Sequence, residues 1–257
     1  MASEHRFGFE WNLYSKLNPQ YELQFKNWVA PLDPSNFNDK VVLDAGCGMG
    51  RNSYWVLKWG AKEVTAFDFD ERSVAVARNN LKDFSNVQVI FKSIYDIDWH
   101  EKFDIAFSIG VIHHLEDPVR ALKNMINALK PGGILLIWVY SYEGNEWIPR
   151  FVDPIRKHIT SKLPVAFVHW LAYGCSIPLW LIIKIFRGPT PYLRQLSKFK
   201  FWHVHSIVFD QLIPTVANYW KKEEVLFLLE QLPIKNIQIN HPPNGSGWTV
   251  TAQKIEN

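Results

Sequence analysis

Short apolar runs alternate with amphipathic stretches along the first half of the chain, and the two differ in period. Apolar or β-branched runs at 40–44, 63–68, 87–91 and 103–108 have the length of buried strands. Between the first three lie stretches at 51–59 and 71–81 whose apolar positions recur at helical spacing. Asp117 then makes a good N-cap with Pro118 at the first helical position, and Val119, Leu122, Ile126 and Leu129 form a buried stripe. Pro131-Gly132-Gly133 should stop that helix, and 134–139 reads as a fifth strand. Near the C-terminus, Lys221 to Gln231 reads as a helix, with 234–239 and 248–252 as two closing strands. They are separated by a loop rich in turn formers, Pro242-Pro243-Asn244-Gly245-Ser246-Gly247. Strands alternating with helices predict an α/β fold with a doubly wound, mostly parallel sheet and right-handed crossovers.

The first crossover carries the candidate chemistry. The run Val41-Val42-Leu43 leads into Asp44 and then a turn with Gly46, Gly48 and Gly50, before a helix opens at Arg51. Glycines there allow positive φ and a close approach of backbone to ligand. The next strand ends in Asp68, where a carboxylate could accept hydrogen bonds from both hydroxyls of a ribose. This is the layout of a nucleoside-type cofactor site. The spacing is G-x-G-x-G rather than the G-x-G-x-x-G of dinucleotide sites, with Arg51 following the last glycine. Asp44 beside the turn would repel a pyrophosphate but suits an ammonium or sulfonium.

On these residues the chain resembles the class I S-adenosylmethionine-dependent methyltransferases. The stretch VLDAGCGMG (42–50) resembles their first motif, SIGVIHHLEDP (108–118) the loop after their fourth strand, and LKPGGILLIWVY (129–140) the turn into their fifth. The resemblance covers roughly 38–140, with a plausible tail at 219–254. It implies a Rossmann-like seven-stranded sheet whose last strand is antiparallel. It also implies that Asp44, Gly46 and Gly48 hold the methionine half, Asp68 the ribose, and Phe69 one adenine face. Asp96 matches the position that accepts from the adenine amino group, with Ile94 and Tyr95 flanking the ring. Ile109 and Gly110 would offer backbone groups to the amino-acid end.

Some eighty residues between the fifth strand and the last helix exceed what this fold needs. The chain therefore divides into an aromatic N-terminal arm (1–37), a cofactor-binding domain (38–140 and 218–257) and an insert (141–217). Residues 150–200 hold nine Lys or Arg against one acid, Asp153, a net +8 within a chain of +3. Within them, 163–183 is a run of twenty-one residues with no charge, which reaches the length of a membrane span. Topology argues against a single span, because the closing strands must return to the sheet that holds the fifth. Pro164, Gly174 and Pro178 should also break the run. The insert is then a cap over the site, a homodimer interface, or a surface that makes peripheral contact with an anionic membrane. Two cysteines, Cys47 and Cys175, and no apolar leader at the N-terminus point to a reducing, cytoplasmic setting with membrane association left open.

The acceptor side is less specific. His113, in the loop after the fourth strand, is the candidate general base, with adjacent His114 expected to point away. His203, His205, Asp210 and Tyr219 follow the insert, where such enzymes place acceptor-binding groups. In the arm, Phe9, Trp11 and Tyr14 could close over a sulfonium by cation–π contact. No metal is expected: the run His113 to Asp117 is rich in ligands, but neighbouring residues seldom converge on one ion. Catechol-methylating relatives of this class that use a metal carry acids where Gly110 and His113 stand. The resulting expectation is methyl transfer to a small or lipid-like acceptor, at oxygen or nitrogen. The alternatives are a catalytically silent S-adenosylmethionine-binding module and a nicotinamide-dependent oxidoreductase. Nucleic acid is disfavoured, since the insert lacks a recognisable binding motif.

Overall fold

The computed structural model describes residues 3–188, 190–242 and 245–256. Met1 and Ala2 of the arm, and Pro243 and Asn244 of the closing loop, lie outside the described residues. Three helices open the chain: α1 (Ser3–Leu13), α2 (Gln20–Val29) and the single turn α3 (Pro34–Phe37). Then come β1 (Val41–Ala45), α4 (Arg51–Lys58), β2 (Glu63–Asp68), α5 (Glu71–Leu81), β3 (Val87–Phe91), β4 (Phe103–Ile109), α6 (Pro118–Ala128) and β5 (Leu129–Val139). The sheet order is β3-β2-β1-β4-β5-β7-β6, with β6 (Ile234–Asn240) and β7 (Trp248–Lys254) closing it and α11 (Lys222–Glu230) preceding them. Strands β1 to β5 pair in parallel, and β7 runs antiparallel to both β5 and β6.

The order reverses between β1 and β4, so their C-terminal ends flank the crevice where doubly wound sheets bind ligands. The central strands are buried on both faces, as parallel strands require, while the edge strands β3 and β6 are largely half-buried or exposed. Leu43, Phe67 and Leu135 pack under α6 and α11, while Val42, Phe107 and Leu136 face α2 and α4. Alternate residues of each strand thus serve opposite layers.

Two boundaries depart from expectation. β5 begins at Leu129, before the Pro-Gly-Gly stop, because Leu129 already pairs with Phe103. The register then shifts before Ile105 meets Ile134, so Pro131 lies in a bulge, where its missing N–H costs no ladder bond. The uncharged run also does not break: α8 spans Val165–Ile185 without interruption, and only Pro164 stands outside it, at the N-cap. Gly174 sits four residues before Pro178, the position whose carbonyl a helical proline crowds, and nothing lies within 4 Å of where a Gly174 Cβ would be. Burial against α10 (Phe201–Leu212), through Val168, Ala172, Phe209 and Ile213, offsets the lost bond.

The rest of the insert is helical: α7 (Asp153–His158), a 3₁₀ turn at Thr160–Lys162, and α9 (Pro191–Leu196). Helix α1 bridges it to the cofactor domain. Its Gly8 passes so close to Asp70, at the N-cap of α5, that a Cβ would lie 2.0 Å from the carboxyl carbon. On its other side Arg6 donates to the carbonyls of Thr160, Ser161 and Leu163 at 2.8, 3.2 and 3.0 Å.

Candidate active site

The cofactor end of the crevice is built by backbone. Gly46 has φ +81°, and a Cβ there would lie 2.5 Å from Val111. The N–H groups of Gly46 and Cys47 both donate to the Phe67 carbonyl at 2.9 Å, which folds the turn over β2. The Gly48 N–H donates to Asp68 Oδ2 at 2.8 Å and the Asp70 N–H to its Oδ1 at 3.0 Å. Burial raises the Asp68 carboxyl to about 6, against the pull of these two N–H groups. Each oxygen keeps a lone pair for a further donor such as a ribose hydroxyl. Phe69 is half exposed and stacks on Phe91 with ring centroids 5.7 Å apart. Gly110, at φ +78°, has open space beside its Cα.

These residues open into one cavity of about 990 Å³, at the upper end of the roughly 300–1,000 Å³ range of ligand pockets. Its far end is walled by the arm and the insert. Trp11 leans on the glycine turn, with Nε1 3.0 Å from where a Gly48 Cβ would be. The Arg51 guanidinium is boxed by the rings of Trp11, Tyr21 and Trp28, at 5.0, 5.3 and 5.2 Å from their centroids. Beyond it a chain of hydrogen bonds runs across the wall. Tyr219 Oη donates to Gln211 Oε1 at 2.6 Å, Gln211 Nε2 to Tyr140 Oη at 3.2 Å, and Tyr140 Oη to Asp210 Oδ2 at 2.9 Å. Burial raises Asp210 to about 6, while the Tyr140 hydrogen bond and the charges of Arg51 and Arg156 hold it down. Glu10, on the same wall and 2% exposed, is raised further by burial and then by the charge of Asp210. Its Oε2 has no hydrogen-bond partner among the described residues.

Of the residues expected from sequence, Gly46, Gly48, Asp68, Phe69, Ile94, Tyr95, Ile109, Gly110, Trp11, Asp210 and Tyr219 stand on this cavity. Others do not, and those expectations are corrected. Asp44 is 1% exposed behind the turn and accepts from Ser53 Oγ at 2.5 Å, with its carboxyl raised by burial to about 7. Asp96 is exposed at the end of the 3₁₀ turn Ile94–Asp96, and Ser93 holds the wall there. Tyr14 and Phe9 pack into the α1–α8–α10 cluster, Tyr14 Oη lying 3.1 Å from His169 Nε2. His205 is buried in the same region, its Nδ1 2.7 Å from Ser176 Oγ. His203, expected alongside it, does line the cavity.

The two adjacent histidines exchange their expected places. His113 is fully buried off the cavity between the rings of His114 and Tyr140, with neither nitrogen partnered among the described residues and its pKa pushed well down by burial. His114 lines the cavity, its Nδ1 2.7 Å from the Val216 carbonyl. Strand alternation does not apply there, because Ile112–His114 is a 3₁₀ turn with three residues per turn. Glu10, His114, Tyr140, Tyr192 and Gln211 were missed as cavity residues. For Glu10 a signal existed: Phe7, Glu10, Trp11 and Tyr14 fall at i, i+3, i+4 and i+7, which puts a carboxylate on an apolar helix face.

Comparison with known proteins agrees with this architecture. A tRNA U34 carboxymethyltransferase of Helicobacter pylori is 32% identical over 130 residues, 48% of this chain and 48% of that protein. An uncharacterized protein of Synechococcus is 36% identical over 121 residues, 44% of this chain and 28% of its relative. The chain thus spans half or less of the length of these curated relatives. Among solved structures, the 1,6-didemethyltoxoflavin N1-methyltransferase of Burkholderia thailandensis superposes with TM-score 0.55 at 17% identity, covering 100% of this chain and 92% of that one. A methyltransferase of Thermotoga maritima gives 0.55 at 18% identity, covering 98% and 99%. Both share the fold. The model of the methyltransferase domain matches residues 36–166, just over half of the chain, which therefore belongs to that family of class I S-adenosylmethionine-dependent methyltransferases.

Proposed function

We propose that the chain methylates an oxygen or nitrogen of a small or lipid-like acceptor held beneath the insert, with Asp210 taking the acceptor's proton. The observation that carries this reading is the single cavity joining the glycine turn to the Asp210–Tyr140–Gln211–Tyr219 chain. Bound S-adenosylmethionine supplies an electrophilic methyl on a sulfonium. Asp68 and the Gly48 backbone hold the ribose side, Phe69 and Tyr95 the adenine side, and Ile109 and Gly110 the amino-acid end. In-line displacement needs alignment and exclusion of water, and Trp11 with the insert helices supplies the roof. A proton must leave the acceptor as the new bond forms. A carboxyl near 6 is ionised at neutral pH, and the Tyr140 hydroxyl occupies only one of its oxygens.

The Helicobacter relative's name raises tRNA as a second reading. Two acids on the wall, the buried Glu10 and the half-buried Asp210, favour a neutral or cationic acceptor over a phosphate backbone. A silent binding module would not need an ionisable far chamber, and the dinucleotide reading lacks the third-glycine spacing.

Calorimetry with S-adenosylhomocysteine tests the cofactor half. Wild type should bind, and Asp68→Ala should bind more weakly by about 1.5–3 kcal/mol, the range for hydrogen bonds to a charged group. Binding of NADH with none of S-adenosylhomocysteine would overturn the proposal. A methyl-transfer assay with bulk tRNA against a panel of amphiphilic amines and phenols separates the two acceptor readings.

A further inference from the structure

Helix α8 has a composition at odds with its exposure. A helix apolar all round belongs inside a protein core or a lipid phase. Of its twenty-one residues, Val168, Ala172, Ser176 and Ile183 are the buried ones, a narrow stripe along α10 and α9. The opposite side presents Phe167, Trp170, Leu171, Leu181, Ile182 and Ile185 to solvent, Trp170 and Ile185 each 70% exposed. Trp202 of α10, 55% exposed, extends the patch beside Tyr173, with ring centroids 6.3 Å apart. Solitary exposed apolar residues are ordinary; a row of this length on one helix is not.

The charge around it has one sign. The single acid of 150–200, Asp153, is consumed by Arg156, itself fully buried, and by Lys157 at 3.0 Å. Lys162 precedes α8; Lys184 and Arg187 lie at its end, and Arg194, Lys198 and Lys200 follow, all exposed. Basic residues at both ends of an apolar helix hold those ends at an anionic lipid surface. Chain connectivity sets the helix along the interface rather than across it, because β6 and β7 return to the sheet that holds β5.

We propose that this face of α8 docks on an anionic bilayer, lying in the headgroup layer with Trp170 and Ile185 inserted and the flanking lysines and arginines on lipid phosphates. The helix that would lie in the lipid also walls the cavity, through Cys175 and Leu179, and α9 adds Tyr192 and Leu193. The acceptor end is thereby next to the membrane, which fits an amphiphilic acceptor drawn from it. Docking itself does not depend on the methyl-transfer reading; only the choice of acceptor does.

Co-sedimentation of the full chain with phosphatidylcholine vesicles, and with vesicles of equal phosphatidylcholine and phosphatidylserine, tests the docking. Binding is expected to the anionic vesicles at low salt, fading as salt screens the headgroups. Lys162→Glu, Lys184→Glu and Arg187→Glu together should lower the partition coefficient about a hundredfold or more. The pair Trp170→Ser and Ile185→Ser should lower it at least about tenfold. Both variants should keep wild-type S-adenosylhomocysteine affinity, which shows that they are folded; if they lose it, Trp170→Ser alone is read by the same two measurements. Absence of binding to anionic vesicles at low salt would overturn the proposal, and so would retention of full binding by the apolar variant. A dimer that Trp170→Ser dissociates, with no vesicle binding by wild type, would assign the face to a second copy of the chain instead. Loss of tRNA binding in the charge variant, without vesicle binding by wild type, would assign it to nucleic acid.

Discussion

The two ends of the cavity differ in how their polar groups are satisfied. At the glycine turn, Asp68 meets two backbone N–H groups and Asp44 meets the Ser53 hydroxyl, all within 27 residues of chain running from β1 through β2 to Asp70. At the far end, Glu10 Oε2 and both nitrogens of His203 face no partner among the described residues. That end is assembled from the arm, the turn after β4, the end of β5 and α10. Buried polar groups are rarely left unpaired without a reason. At the glycine turn the buried carboxylates thus already have partners before anything binds, whereas the far end leaves buried polar atoms without one among the described residues.

The sharpest way to break this contrast is Asp210→Asn. It should lower turnover about a hundredfold or more with cofactor affinity near wild type. In wild type kcat/KM should rise with pH through about 6, as the carboxyl loses its proton, and level off above. The variant should lack that limb. A hundredfold loss of S-adenosylhomocysteine affinity in the same variant would show that the two ends are not separable.

Next in size is Gly46→Val. Positive φ and the approach to Val111 make any side chain there strained, so stability should fall by about 1–3 kcal/mol. Cofactor affinity should fall with it, as thermal melts with and without S-adenosylhomocysteine would show. Pro178→Ala should act in the opposite direction, restoring an intrahelical bond to α8. A gain of about 1 kcal/mol corresponds to a rise in Tm of roughly 2–4 °C for a chain of this size. An unchanged melt would mean that α8 is already relaxed around the proline.

The smallest effect is the most discriminating. His113 is buried with neither nitrogen partnered among the described residues, and replacing an unsatisfied polar group by an apolar one is close to neutral. His113→Leu should leave turnover within about twofold and stability within about 1 kcal/mol of wild type. A large fall in turnover with the fold intact would return the role of base to His113.

The same contrast explains what could be read from the chain alone. Strands β1 to β4 and their helices were legible to within a residue or two, since apolar runs and caps such as Asp117-Pro118 act over a few residues. Gly46, Gly48 and Asp68 were legible for the same reason. The extent of β5 was not, because a bulge opposite Phe103 is decided by pairing. Continuity of α8 depended on a neighbour, α10, that lies far along the chain. His113 and His114 were exchanged because a 3₁₀ turn follows no alternation, and His203 could not be told from His205 because the face α10 turns to the cavity is set by tertiary packing. Asp44 lies at the end of a strand, where one residue decides between cavity and core.

Arg6 ties these threads to time rather than to structure. Its three bonds to the carbonyls of Thr160, Ser161 and Leu163 join a helix from the start of the chain to a turn more than 150 residues later. Neither piece can lift away without stranding a buried guanidinium, so arm and insert open together or not at all. During synthesis the clasp is also a delay, since α1 is made before the insert and cannot be held by Thr160, Ser161 and Leu163 until they have followed.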